Sequence, residues 1–373
     1  MFFRHFAGEP LTRANWFDWS AMIRCVVFAA FVLGMAWPSP AQTGVRRQDF
    51  FVDGDPGIRL FAREIRLGEV GGLREPMVLL HGARVPGVAS FDLPVTGGSF
   101  AEDLARLGFD VYVLDVRGYG RSTRPKEMEE PADAHAPLVR SNEAAHDIAA
   151  VVDAIRKRGG VDRVVLFGWA TGGQWAGYYA SLYPEKVGAV ILLNSLYRGH
   201  SPQALIGRGT DSEDPAHPGR FNQASCGAYR LNDAASLIRG WDHSIPVEDK
   251  SKWRDPAVAK AYVDAALASD PTWQSRTPPS FRSPCGAMED SFYLATGRQL
   301  WDASLVTAPT LVLAGERDFW SRPEDRENLA ADLVHSQKVR VVVIPGATHF
   351  VHLERAERGR KILLEEIDHF LTK

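Results

Sequence analysis

Residues 164–187, VVLFGWATGGQWAGYYASLYPEKV, read as a buried strand, a glycine-crowded turn and a helix. The turn runs Gly168, Trp169, Ala170, Thr171, Gly172, Gly173. It matches the G-x-S-x-G pattern of a nucleophile-bearing elbow everywhere except its centre, where alanine stands in place of serine. The glycines have a geometric reason. A strand that reverses abruptly into a helix strains its central residue, and side chains two positions to either side would collide with neighbouring elements. The amides that open the following helix point at the turn and can hold negative charge. A glycine-rich strand-to-helix turn also suits nucleotide-binding folds, so the pentapeptide needs support from the rest of the chain. The chemistry it suggests is acyl transfer, which requires a nucleophile, a base to take its proton, a carboxylate to orient the base, and donors for the oxyanion.

Such a turn works only on a scaffold that holds it, and the chain supplies the pattern for one. Strand-length apolar runs begin at Gly57 (GIRLFAREIRL), Pro76 (PMVLLHG), Asp110 (DVYVLDVRG), Arg163 (RVVLFGW), Ala189 (AVILLNSL), Pro309 (PTLVLAGE) and Val339 (VRVVVIPG). Four are solid rather than alternating, which predicts strands covered on both faces. Helix-period segments fall between them, beginning at Ser99, Ser141, Thr171, Arg322 and Gly359. This alternation predicts an α/β fold with a mostly parallel central sheet and helices on both faces. The beat breaks over residues 197–306, which carry no convincing strand but contain helical fragments such as DPAVAKAYVDAALAS. A structureless loop of that length is improbable, so a mainly helical cap insertion is expected there. The core is then expected in two halves, 42–196 and 307–373.

With these landmarks in place the sequence resembles the α/β-hydrolase superfamily, of the serine esterase type with a helical cap. LLHGAR with His81 and Gly82 closes a strand ahead of the elbow, followed by LDVRGYGRS from Asp115. LAGERDFW places Asp318, and IPGATHFVHLE places His349, each just past a strand. The order nucleophile, acid, histidine is the one this superfamily uses. Alone, Asp318 reads as a helix cap and His349 as a satisfied histidine with His352 as a rival. The resemblance implies that His349 is the base and Asp318 its orienting acid, around the nucleophile position held by Ala170. It implies oxyanion donation by the backbone amides of Thr171 and Ala83. His81, Asp115 and Arg117 are expected to order loops.

Alanine has nothing to deprotonate, so the chain as written cannot form an acyl-enzyme. The expected function is that of a carboxylic-ester hydrolase for a small or medium, partly apolar ester, here carrying a Ser-to-Ala change at position 170. Amide hydrolysis of the proline-aminopeptidase kind is the alternative within enzymes, and a natural non-catalytic small-ligand binding protein is the alternative outside them. An aspartate nucleophile, as in relatives that open epoxides or displace halide, is a further ancestor compatible with Trp169. Arg84, beside the oxyanion loop, is a candidate partner for a substrate carboxylate, and Trp169 a candidate substrate contact. Trp241, Trp253, Trp273, Phe281, Phe292, Tyr293 and Trp301 are the cap aromatics from which a pocket lining is expected.

Composition sets limits on the remaining classes. The formal net charge of -3 and the absence of basic runs give no footprint for nucleic acid. Among the 11 histidines the only pair at a metal-ligand spacing is His349 with His352, which the triad explains better, so no metal or cofactor is expected. Residues 25–37 are apolar, preceded by Arg24 and followed by small residues through Ala41. That pattern is a signal peptide over residues 1–41, predicting an exported protein, periplasmic or secreted, without stable membrane insertion after cleavage. Removing it leaves Cys226 and Cys285, an even pair for which a disulfide and two buried thiols are both open.

Overall fold

The computed structural model describes residues 44–68 and 74–372. The leader expected at 1–41 lies outside them. Among the described residues the strands are β1 (Val45–Asp53), β2 (Arg59–Leu67), β3 (Met77–Leu80), β4 (Val111–Asp115), β5 (Val164–Trp169), β6 (Val187–Leu193), β7 (Tyr229–Asp233), β8 (Ser280–Pro284), β9 (Thr310–Arg317) and β10 (Val339–Thr348). The helices are α1 (Gly87–Phe91), α2 (Phe100–Arg106), α3 (Ser141–Gly159), α4 (Thr171–Leu182), α5 (Ala234–Asp242), α6 (Pro256–Ala268), α7 (Gly286–Ala295), α8 (Pro323–Asp332) and α9 (Arg360–Thr372).

Eight strands form one sheet in the order β1-β2-β4-β3-β5-β6-β9-β10. β1–β2 and β2–β4 are antiparallel and the other pairings parallel. Every residue of β3, β4 and β5 is buried, as solid apolar runs require when helices cover both faces. The two-residue period of a strand divides these side chains between two cores. Val165, Phe167 and Trp169 join Phe91 of α1, Phe100 of α2 and Ile367 of α9 on one face, while Val164 and Leu166 join Ile148 of α3 and Trp175 of α4 on the other. Ala170, just past the end of β5 and outside its alternation, packs in the same cluster as Trp169.

Two elements depart from expectation. β1 is an edge strand whose sequence, VRRQDFFVD, is mostly exposed and has no apolar run longer than three residues. Its register comes from its partner, Val45 opposite Leu67 through Asp53 opposite Arg59, and not from hydrophobic alternation. The insertion over 197–306 holds α5, α6 and α7 as expected, but it also contains the antiparallel pair β7–β8, correcting the expectation of no strand. YRLND and SFRSP are five-residue segments far apart in sequence, too short for a period to show.

The strand pair is locked at one end by a disulfide between Cys226 and Cys285, with Cα atoms 6.1 Å apart. Tyr229 and Pro284, the terminal partners of the ladder, lie immediately inside it. Closing a loop with a sequence separation of 59 constrains the unfolded chain by about 4 kcal/mol in the chain-entropy treatment. The double variant Cys226→Ser/Cys285→Ser is expected to lose about 2–4 kcal/mol of unfolding free energy in a urea titration. Parent protein treated with reductant should fall to the same value; unchanged stability in both would show that the bridge does not constrain the fold.

Candidate active site

β5 ends at Trp169 and α4 begins at Thr171, leaving Ala170 as the single residue between them. Its backbone lies at φ 52°, ψ -115°, a conformation that costs a non-glycine residue about 1–3 kcal/mol. The surrounding glycines show what enforces it. A Cβ on Gly168 would run into the carbonyl of Gly172, one on Gly172 into the carbonyl of Leu80, and one on Gly173 into Ser195. The Ala170 amide donates to the Leu193 carbonyl at 2.8 Å, pinning the turn to β6. Thr171 opens α4, so its amide is one of the first-turn donors that a helix cannot satisfy internally.

Asp318 follows β9 and His349 follows β10, and His349 Nδ1 lies 2.6 Å from Asp318 Oδ1. The carboxylate also accepts from the Trp320 amide (3.1 Å), the Ser321 amide (2.8 Å) and the Ser321 hydroxyl (2.5 Å). With the Nδ1 proton donated to Asp318, Nε2 carries the lone pair that a base needs. Ala170, Thr171, Ala83, Arg84, Trp169 and His349 all line one cavity of about 400 Å³. A larger hollow of about 610 Å³, bordered by residues of α2 and α9, contains none of the elbow residues, so volume alone does not locate this site.

The α/β-hydrolase fold family model matches residues 75–356. The chain belongs to that family. This α/β hydrolase is 28% identical over 324 residues to the polyketide synthase ThaQ of Burkholderia thailandensis, a match covering 85% of the chain and 13% of that protein. It is 28% identical over 145 residues to the 2-hydroxy-6-oxononadienedioate/2-hydroxy-6-oxononatrienedioate hydrolase of Klebsiella pneumoniae, covering 38% of the chain and 43% of the relative. The chain thus spans less than half the length of either. Among solved structures, a bacterial membrane phospholipase A superposes with a TM-score of 0.55 at 18% identity, over 89% of this chain and 87% of that one.

The supporting residues of the hydrolase fold lie as follows. His81 is fully buried; its ring lies 2.8 Å from the Gly82 carbonyl and accepts from the Val116 amide at 3.3 Å. Burial pushes its pKa down to about 4, so it is a neutral structural ring. Asp115 accepts from the amides of Gly87 and Arg121, and Arg117 pairs with Asp147 at 2.6 Å; both order loops. His352 packs against the Trp169 ring at 4.4 Å between centroids and also against Phe91 and Phe100, within the core. Burial holds its pKa well below the ordinary histidine range.

The expected aromatic lining is corrected. Trp241, Trp253, Trp273, Phe281, Phe292, Tyr293 and Trp301 are absent from the cavity wall, where Tyr262, Phe319, Trp320 and Phe350 stand beside Trp169. Trp241 stacks on Phe350 with ring centroids 5.1 Å apart, and Trp301 lies against Gly177. They hold the insertion to the core.

Two positioning residues escaped sequence reasoning. Asn194, at φ 53° just after β6, accepts from the Gly315 amide at 2.8 Å and donates to the His349 carbonyl at 3.1 Å. Trp169 donates its indole N–H to the same carbonyl at 2.9 Å. Glu354 accepts from Thr348 (2.6 Å), Trp253 (3.0 Å) and Trp241 (3.3 Å), joining the histidine loop to the insertion. Burial pushes its carboxyl pKa up, against the lowering effect of these three donors. An asparagine ending a strand, or a glutamate five residues past a histidine, carries no distinguishing signal.

Replacing Ala170 by glycine should stabilise the protein by about 1 kcal/mol, because glycine accepts positive φ freely. Thermal and urea unfolding measure this; a loss of similar size would show that the turn is unstrained. Asn194→Ala leaves the Gly315 amide buried without its acceptor and should cost about 1–3 kcal/mol. Unchanged unfolding free energy would contradict that role.

Proposed function

We propose that this fold carries the site of a serine-type carboxylic-ester hydrolase working through an acyl-enzyme, and that Ala170 marks a form able to bind its substrate without turning it over. The observation that carries the reading is His349, held by Asp318 at 2.6 Å, in the same cavity wall as a strained elbow. In the serine form the hydroxyl of residue 170 attacks the ester carbonyl while His349 takes its proton, later returning it to the departing alkoxide. Asp318 stabilises the imidazolium. The amides of Thr171 and Ala83 receive the developing oxyanion. The hydrolase name of the Klebsiella relative supports this class of reaction. Esters are preferred over amides because their better leaving groups ask less of the general acid. Export, expected from the leader pattern at 1–41, is part of the same proposal.

Ala170 itself favours a second reading, a non-catalytic relative that uses the cavity to bind a small ligand. The strained φ, retained together with the oriented histidine, supports the hydrolase ahead of it.

Ala170→Ser should raise p-nitrophenyl butyrate hydrolysis by at least ~10³-fold over the parent and give a covalent adduct with a fluorophosphonate. Absence of both in a folded variant refutes the hydrolase. His349→Ala in the serine form should lose nearly all of the gain.

A further inference from the structure

Among the described residues the cavity at the elbow is lined by three arginines, Arg84, Arg230 and Arg239, and by no aspartate or glutamate. Arg84 donates from Nε to Asn232 Oδ1 (3.1 Å), from Nη2 to Ser236 Oγ (3.0 Å) and from Nη1 to the Ser236 carbonyl (3.4 Å). Arg230 donates from Nη2 to the Ala83 carbonyl at 3.3 Å. All four acceptors are neutral. The Nε of Arg230 is buried with no hydrogen-bond partner among the described residues. Asp233, the carboxylate that acts on Arg84 from the same region, spends an oxygen capping α5 at the Ser236 amide, 2.6 Å away.

The arrangement is built rather than incidental. Gly240 leaves α5 bare where Arg84 passes, since a Cβ there would sit 3.1 Å from Nη1. Asn232, which fixes Arg84 Nε, is itself held by a 2.6 Å bond to Ser283 Oγ across the β7–β8 ladder. Burial and the neighbouring charge of Arg84 push Arg230 down to about 9, and burial lowers Arg84 as well. Two like charges close together and partly withdrawn from water disfavour the folded state unless an anion joins them. The planar fork of a guanidinium matches a carboxylate.

We propose that Arg84 and Arg230 form a carboxylate-binding subsite, and that the ester accepted is the half-ester of a short dicarboxylic acid. The proposal rests on the hydrolase reading above. Arg230 bonds the carbonyl of Ala83, the same residue whose amide receives the oxyanion, so the free carboxylate and the reacting carbonyl are separated by only a few carbons. Val85, Tyr262 and Phe350 leave an apolar wall for the alcohol portion. In the serine form the hydroxyl oxygen of residue 170 bonds to the ester carbon, the carbon–oxygen bond to the alcohol breaks, and His349 moves the serine proton to that oxygen. Water then cleaves the acyl-enzyme, releasing the diacid.

The chain with Ala170 allows binding to be measured without turnover. Calorimetry with the monoethyl and diethyl esters of malonate, succinate, glutarate and phthalate should show at least one half-ester binding roughly 30-fold or more tighter than its diester. Arg84→Met and Arg230→Met should each weaken that half-ester by roughly tenfold or more, with folding checked by melting temperature. In Ala170→Ser, the ratio of kcat/KM for half-ester over diester should follow the same order and collapse toward one in the arginine variants. Equal binding of half-ester and diester across the series, or a preference that survives both substitutions, overturns the subsite. Should the variants not fold, the half-ester against diester comparison on the unsubstituted chain decides. The two readings fail separately. Hydrolysis of neutral esters without any half-ester preference removes the subsite alone, whereas half-ester binding with an inert serine form removes the hydrolase and leaves the subsite standing.

Discussion

At residue 170 the chain passes from strand to helix in one step, and the fold around the site is arranged to make that step sterically possible. Gly168 meets the start of α4, Gly172 meets the end of β3, and Gly173 meets Ser195, each too closely for a Cβ. Backbone rather than side chain fills the centre of the molecule there. α4 is pressed against the end of β3, and Thr171 at its start lines the same cavity as Ala83.

The histidine is placed from the same turn. Trp169 and Asn194 both donate to the His349 carbonyl, so the residue before the elbow and the residue after β6 fix the backbone of the loop that presents the ring. Asp318 then fixes the ring itself. Glu354 extends the chain of contacts to the insertion through two indole N–H groups. The position of the insertion and that of the His349 loop are in this way coupled through one buried carboxyl group.

Buried arginines elsewhere in the protein are matched with carboxylates: Arg117 with Asp147, Arg282 with Asp270, Arg322 with Asp325. Desolvating a guanidinium is costly, and the close carboxylate offsets it. Arg84 and Arg230, half-buried at the elbow cavity, have no such close carboxylate and are held by neutral acceptors.

The central strands and the elbow were legible in the sequence, because solid apolar runs and a glycine-spaced reversal are local signals dictated by burial on two faces and by steric clash at a turn. The chain order of Ala170, Asp318 and His349 was legible for the same reason, each sitting beside a recognisable strand. β1 and the β7–β8 pair were not, since edge or short strands owe their existence to a partner distant in sequence. Nor were the bridge between Cys226 and Cys285, the inward place of Tyr262 and Phe350, or the companionship of Arg230 with Arg84. The sequence by itself determined which residues could take part and which backbone turn would hold them. Only the tertiary structure decided which distant side chains share the cavity and which guanidinium groups are held by neutral acceptors, because those depend on separations in space that no local periodicity encodes.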